Sequence, residues 1–175
     1  MGGVIGTLFC HEYSEQVASF VNIEGDLTSD DRFISDPALQ SDADGRFEEW
    51  LQHDYAKRMV IDWCHQWPST VRYLSSLNMC QSRAFLASIR QIYELNEALP
   101  GGNVGLIGKK YVELDTPRVF CWGTESLSLG AQSILKDFAL VNKKFSKSFH
   151  WVMIDQTVPF YNFLSGFLSK EKTVV

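Results

Sequence analysis

The sequence predicts an α/β fold: a small parallel sheet of about three strands with helices on its faces, interrupted by a long helical insertion. Two observations lead there. Short runs rich in apolar, β-branched and aromatic residues stand at 17–23, 117–123 and 145–149. Stretches with apolar residues at helical spacing lie before, between and after them, so strand and helix alternate. The core is assigned to 1–26 and 115–175, and the insertion to 27–114.

The first helix is read from Val4, Ile5, Leu8 and Phe9, which fall on one face. Gly2, Gly3 and Gly6 are poor helix formers, and their value there is close approach to a neighbouring strand or loop. Residues 17–23 are nearly continuous in apolar character, which predicts a strand buried on both faces. Glu24-Gly25-Asp26 and then Thr28-Ser29-Asp30-Asp31 end it with turn and cap residues. In the insertion, 45–67 carries Phe47, Trp50, Leu51, Tyr55, Met59 and Trp63 at helical spacing. Pro68-Ser69-Thr70 breaks that run and starts a short helix with Val71, Leu74 and Leu77. Residues 82–99 repeat the pattern with Phe85, Ile89, Ile92 and Leu99, and Pro100-Gly101-Gly102-Asn103 stops it. Strand character returns at 117–123, which ends in Gly123 and a loop through Glu125 and Ser126. A helix is expected over 133–142, a last short strand over 145–149, and a final helix over 159–168 with Phe160, Phe163, Leu164 and Phe167 on one side.

At 175 residues, 45% hydrophobic and 13% aromatic, the chain is long and apolar enough for a real core and is not of disordered type. The net charge of −5, with no Lys/Arg run longer than Lys143-Lys144, argues against a nucleic-acid surface. Cys10, Cys64, Cys80 and Cys121 form no C-x-x-C pair, so zinc and redox roles are not expected, and all four read as buried free thiols in a reducing compartment. The carboxylates Asp30-Asp31 and Asp42 to Asp44 lack the glycine and terminal glutamate of a calcium loop and read as solvated or capping groups. Neither a metal nor another cofactor is expected. With no secretory leader and no long apolar run, the expectation is a soluble cytoplasmic chain that does not enter membranes.

In open parallel sheets ligands bind beyond the carboxyl ends of the strands. Glu24, Glu125 or Ser126, and His150 stand at those ends. There the chain resembles the carboxyl-terminal part of the α/β-hydrolase family. Met1-Gly2-Gly3 is similar to the three residues after the serine in the family's Gly-His-Ser-Met-Gly-Gly nucleophile elbow. Pro117-Arg118-Val119-Phe120-Cys121-Trp122-Gly123 resembles its seventh strand, and His150-Trp151-Val152-Met153-Ile154-Asp155 its catalytic-histidine loop. The insertion sits where the family carries a helical lid. The resemblance implies a partial α/β-hydrolase fold and a Ser-His-acid mechanism on an ester-like, small, largely apolar substrate.

Such chemistry needs a base to take the hydroxyl proton, a carboxylate to hold that base, and backbone N–H groups facing the oxyanion. His150 is the candidate base, although Phe149 replaces the usual preceding glycine. His11, His53 and His65 have no comparable context. For the acid, the family's Asp position after the seventh strand is occupied by Ser126, while Glu24 fits the arrangement in which the acid follows the sixth strand. Glu24 is the first choice, Glu125 the second, and Asp26 or no carboxylate remains. The plainer reading of Glu24 is a loop carboxylate beside Gly25. By the resemblance, Met1 stands at the equivalent of the family's oxyanion-donor position, through its backbone. Trp50, Trp63 and Trp151 are the candidate substrate-binding aromatics, the alternative being simple packing of the insertion helices on one another.

No serine precedes Met1 in the sequence. It therefore reads as a portion of a hydrolase that lacks the nucleophile. A catalytically inactive or binding form of the same fold is the first alternative. A haloalkane dehalogenase- or epoxide hydrolase-like relative with an upstream Asp is the second. Self-association through an exposed sheet edge is the expected consequence of a sheet without its preceding strands.

Overall fold

A computed structural model describes residues 1–58, 62 and 66–171. Met59, Trp63, Cys64 and His65 lie outside these residues. The chain is mixed α/β. Three parallel strands, β1 (Phe20–Ile23), β2 (Arg118–Gly123) and β3 (Asn142–Phe145), form one sheet in the order β1-β2-β3. Phe20 stands opposite Arg118, and Phe120 opposite Asn142.

β2 is central and explains the two-layer packing. Val119 and Cys121 point into one apolar cluster with Phe145, Val152 and Phe160. Phe120 points the other way, among Leu27, Tyr111, Ile134 and Leu135. This alternation is the period of a pleated strand with both faces covered. The first face is covered by α9 (Val152–Asp155) and α10 (Thr157–Glu171). The second is covered by α1 (Gly2–Glu12), α7 (Leu106–Val112) and α8 (Leu129–Asp137). Burial pushes the Cys121 thiol up to about 12, so this sulfur is an inert core group at neutral pH.

Helix α1 turns a different face to the sheet from the one its large apolar residues suggest. Val4, Thr7 and Cys10 are buried, while Ile5 and Phe9 are exposed. The glycines decide this. A Cβ at Gly3 would stand 2.5 Å from Asn22 Oδ1, and one at Gly6 would stand 2.6 Å from the Phe20 ring. The helix can approach β1 only through its side-chain-free stripe. The buried Thr7 hydroxyl is satisfied by donating to the Gly3 carbonyl at 2.8 Å.

Strand β1 is shorter and less covered than the 17–23 run suggests. Its ladder begins with Phe20, whose N–H donates to the Pro117 carbonyl at 2.8 Å. Among the described residues it pairs on one side only, and of its own residues Asn22 alone is fully buried. At the other end of the sheet the expected helix and strand both move toward the amino end. The Ser128 hydroxyl caps α8 by accepting from the Ala131 N–H at 3.1 Å, so the helix starts at Leu129. Ala139, with φ +48°, turns the chain out of the helix, and β3 follows at Asn142 rather than 145. Phe138 and Val141, which imitate a helical stripe, are exposed. Lys143 and Lys144 lie exposed on this edge strand, where cationic side chains discourage edge-to-edge pairing.

All named elements between β1 and β2 are helices among the described residues. α2 (Ser35–Ala43) has no clear apolar period and is not among the expected helices; Pro37 sits in its first turn, where its missing N–H costs nothing. Residues 47–58 run as α3 (Phe47–Glu49), a π-helical stretch (Trp50–Tyr55) and α4 (Ala56–Arg58). α5 (Pro68–Leu77) and α6 (Ser82–Leu95) follow. These helices have their own apolar cluster, which includes Phe47, Trp50, Tyr55, Leu77 and Ile89.

Phe120 has no exposure and touches helices from separate parts of the chain. Phe120→Ala is expected to lower unfolding free energy by about 3–5 kcal/mol, read from a urea melt followed by circular dichroism. A loss under about 1 kcal/mol would place the centre of the core elsewhere.

Candidate functional site

The carboxyl ends of the three strands bring the site together. Glu24 follows β1 in a left-handed conformation, φ +45°. That conformation costs a non-glycine residue roughly 1 kcal/mol, and it is held by the Glu24 N–H donating to the Cys121 carbonyl at 3.1 Å. It carries the side chain across the end of β2. There Oε1 accepts the Gly123 N–H at 2.6 Å and the Ser126 hydroxyl at 2.7 Å. Oε2 lies 2.9 Å from His150 Nδ1.

This pattern assigns the proton. The Glu24 side chain is only 3% exposed and its Oε1 already takes two donors, so an ionised carboxylate offers Oε2 to an N–H. Nδ1 of His150 is therefore the nitrogen that donates to Glu24, and in the neutral imidazole this tautomer places the free lone pair on Nε2. The His150 side chain is 41% exposed, in the loop between β3 and α9. The Trp151 ring meets it edge-on at 4.9 Å.

Gly123 is needed twice. Its N–H serves Glu24, and a Cβ there would strike the backbone carbonyls of Ser148 and Phe149, so the histidine loop rests directly on the end of β2. The Glu125 N–H donating to the Ser148 carbonyl at 3.2 Å completes that seam.

The site opens into a cavity of about 630 Å³. Met1, Gly2 and Gly3, at the amino end of α1, form part of its wall beside Glu24 and His150. Aromatic side chains of the insertion form another part, among them Tyr55, Tyr73 and Phe85, with Trp151 from the core. Among the described residues, no lysine or arginine lines it, whereas Glu24, Asp26 and Asp31 do.

In comparisons with protein-family models, curated proteins and solved structures, nothing matches this chain.

The structure therefore joins His150 to Glu24 and leaves other candidates aside. Glu125 is exposed and accepts from the Thr124 hydroxyl at 2.9 Å instead of facing His150. Trp50 packs between Phe47 and Tyr55, at 5.9 and 5.2 Å, inside the helical cluster, and with Phe33 and Asp54 it lines a separate, smaller cavity of about 170 Å³ instead of this one. Trp63 lies outside the described residues. Cys80, expected to be a buried thiol, is exposed on the cavity wall. Among the described residues, no group of His, Cys, Asp and Glu is arranged to hold a metal. Ser126 is the residue whose part the sequence leaves open. The serine standing where the resemblance puts an aspartate, together with a glutamate after β1, is the available signal.

Asp26 lies on the same cavity wall. Burial pushes its carboxyl up to about 6, and Asp31 adds to the rise, while the Met1 ammonium, His150 and Asn96 oppose it. The folded state thus binds its proton more tightly than the unfolded chain, whose value is near 3.8. Above pH 6 the folded protein must hold a buried charge that the unfolded chain solvates freely. Asp26→Asn is expected to stabilise the fold by roughly 3 kcal/mol above pH 6. The gain should shrink between pH 6 and 4 and vanish below, as thermal melts across that range will show. A gain that is the same at pH 3.5 and 7.5 would contradict a titrating Asp26.

Proposed function

We propose that this chain carries the base and acid of a serine hydrolase of α/β-hydrolase type, with the insertion serving as its lid. The single observation that carries the reading is the Glu24–His150 pair: a buried carboxylate, doubly anchored on one oxygen, 2.9 Å from an imidazole nitrogen at the carboxyl ends of parallel strands. Two further features support it. The amino end of α1 faces the same cavity, as an oxyanion-binding helix start should. The order of acid before histidine along the chain is the order of that family.

In this reading His150 Nε2 takes the proton of a serine hydroxyl as it attacks an ester carbonyl, then returns the proton to the leaving oxygen. Glu24 keeps Nδ1 protonated and stabilises the imidazolium that forms. The reading needs a serine hydroxyl beside Nε2; in the family that the chain resembles, that serine directly precedes Met-Gly-Gly, so the backbone N–H at Met1 would meet the oxyanion. An apolar cavity wall with carboxylates and, among the described residues, no lysine or arginine favours neutral, largely apolar esters over anionic ones. The acid's place after β1 favours, as a second reading, a haloalkane dehalogenase-like relative with an Asp nucleophile at the same position.

The test compares nitrophenyl-ester hydrolysis by this chain with that of a form extended upstream through the nucleophile elbow. Only the extended form should turn over, His150→Ala should abolish its activity, and Glu24→Gln should lower kcat by about 10³–10⁴. Activity in the short form that survives His150→Ala would sink the assignment. In the extended form, a neutral butyrate ester should exceed a succinate half-ester in kcat/KM by at least about tenfold. Equal rates would remove the electrostatic argument about the substrate.

A further inference from the structure

The loop that carries His150 is fastened to one helix of the insertion by three separate contacts. Asp155, at the end of α9, lies five residues after His150. Its Oδ2 accepts the Phe149 N–H at 3.0 Å and the Ser69 hydroxyl at 2.9 Å, and its Oδ1 accepts the Ser69 N–H at 3.1 Å. Ser69 has no exposure and lies in the first turn of α5, where unpaired N–H groups and the helix dipole favour an anion. On one flank of His150 the Phe149 ring stacks on Trp67 at 6.3 Å, tilted by 13°. On the other flank the Trp151 ring stacks on Tyr73 at 4.6 Å. Trp67 and Tyr73 bracket Ser69 along the start of α5.

We infer that Asp155 is a positioning residue: by joining Ser69 and Phe149 on one carboxylate it locks the amino end of α5 to the His150 loop, so that displacing the insertion helix draws the imidazole away from Glu24. The contacts dictate the mechanics. Phe149 and Trp151 adjoin His150 in the chain, so a shift of both rings with α5 would pull on the residue between them. On the sheet side, the loop is held by the Glu125 N–H on the Ser148 carbonyl and by Glu24 itself. The imidazole thus stands between a rigid sheet end and a helix of the insertion. Opening the cavity by moving α5 would disarm the base, and closing it would restore the Glu24 contact. Tyr73 carries the connection further, its hydroxyl lying 3.4 Å from that of Tyr55 in the helical cluster.

This inference rests on the Glu24–His150 pair as the working base, and its test needs no turnover. In this chain, the far-downfield proton signal of the His150 Nδ1–H reports the contact with Glu24, and amide hydrogen exchange reports Phe149, Ser69 and the strand β2. Asp155→Ala is expected to speed exchange at Phe149 and Ser69 by about tenfold or more and to broaden or remove the imidazole signal, with Val119 and Phe120 unchanged. Ser69→Ala leaves Phe149 on Asp155 but weakens the hold on α5, and should speed solvent exchange of the imidazole proton by roughly threefold to tenfold. An unchanged imidazole signal in Asp155→Ala overturns the proposal. So does faster exchange along α5 in Ser69→Ala with no change at His150. Should Asp155→Ala lose protection at β2 as well, Ser69→Ala decides. Glu24→Gln is the control, losing the imidazole signal while the Phe149 amide stays protected. If that signal is absent from the unaltered chain, the Glu24–His150 reading itself fails.

Discussion

A carboxylate buried as deeply as that of Glu24 has to be met by donors, and much of the site follows from how that need is satisfied. The left-handed turn at Glu24 sends the side chain over the end of β2. Gly123 must lack a side chain so that its N–H can reach the carboxylate while the Ser148–Phe149 backbone passes close by. Ser126 supplies a second donor to the same oxygen. With Oε1 saturated, the remaining oxygen is directed to His150. Removal of any one donor leaves charge underpaired in a place water reaches poorly, which is costlier than the loss of an ordinary surface hydrogen bond.

The parallel sheet makes this convergence possible. Strands running in the same direction end on the same side, so three loops distant in sequence meet there. Glu24 and His150 lie 126 residues apart, and Glu24 and Ser126 lie 102 apart. The covered faces of β2 give this meeting place a packed base, with Phe120 buried in one apolar cluster and Val119 and Cys121 in the other. The insertion, with a separate apolar cluster, stands over the strand ends and adds its aromatic rings to the cavity.

Much of the fold is legible because strong periodicities are present. The 117–123 run, the α5 and α6 patterns and the final helix emerge close to their expected places. The helix after β2 and the strand after it are displaced, because Phe138 and Val141 imitate a helical stripe while being exposed, and because the turn at Ala139 uses a residue that carries no turn signal. Helix α2 escapes notice for the opposite reason: it buries small residues, Ser35, Ala38 and Ser41, and shows no apolar stripe. Which cavity Trp50 borders is not legible in the sequence, because an aromatic at helical spacing reads the same whichever neighbour it faces.

The α/β class, the alternation of three strands with helices, and the candidacy of His150 and Glu24 can be read from the bare chain, because hydrophobic period and strand-end position are local properties. Folding in three dimensions was needed to bring these two side chains together, to turn Glu125 to Thr124, and to make Ser126 a donor to Glu24. It also selects the face that α1 buries, since the glycines act through the fit of helix against strand and not through their own hydrophobicity. The tie from Asp155 to Ser69 and Phe149 belongs wholly to the folded state: no periodicity links residues 86 apart, and only the packing of α5 on the histidine loop brings them within hydrogen-bond reach.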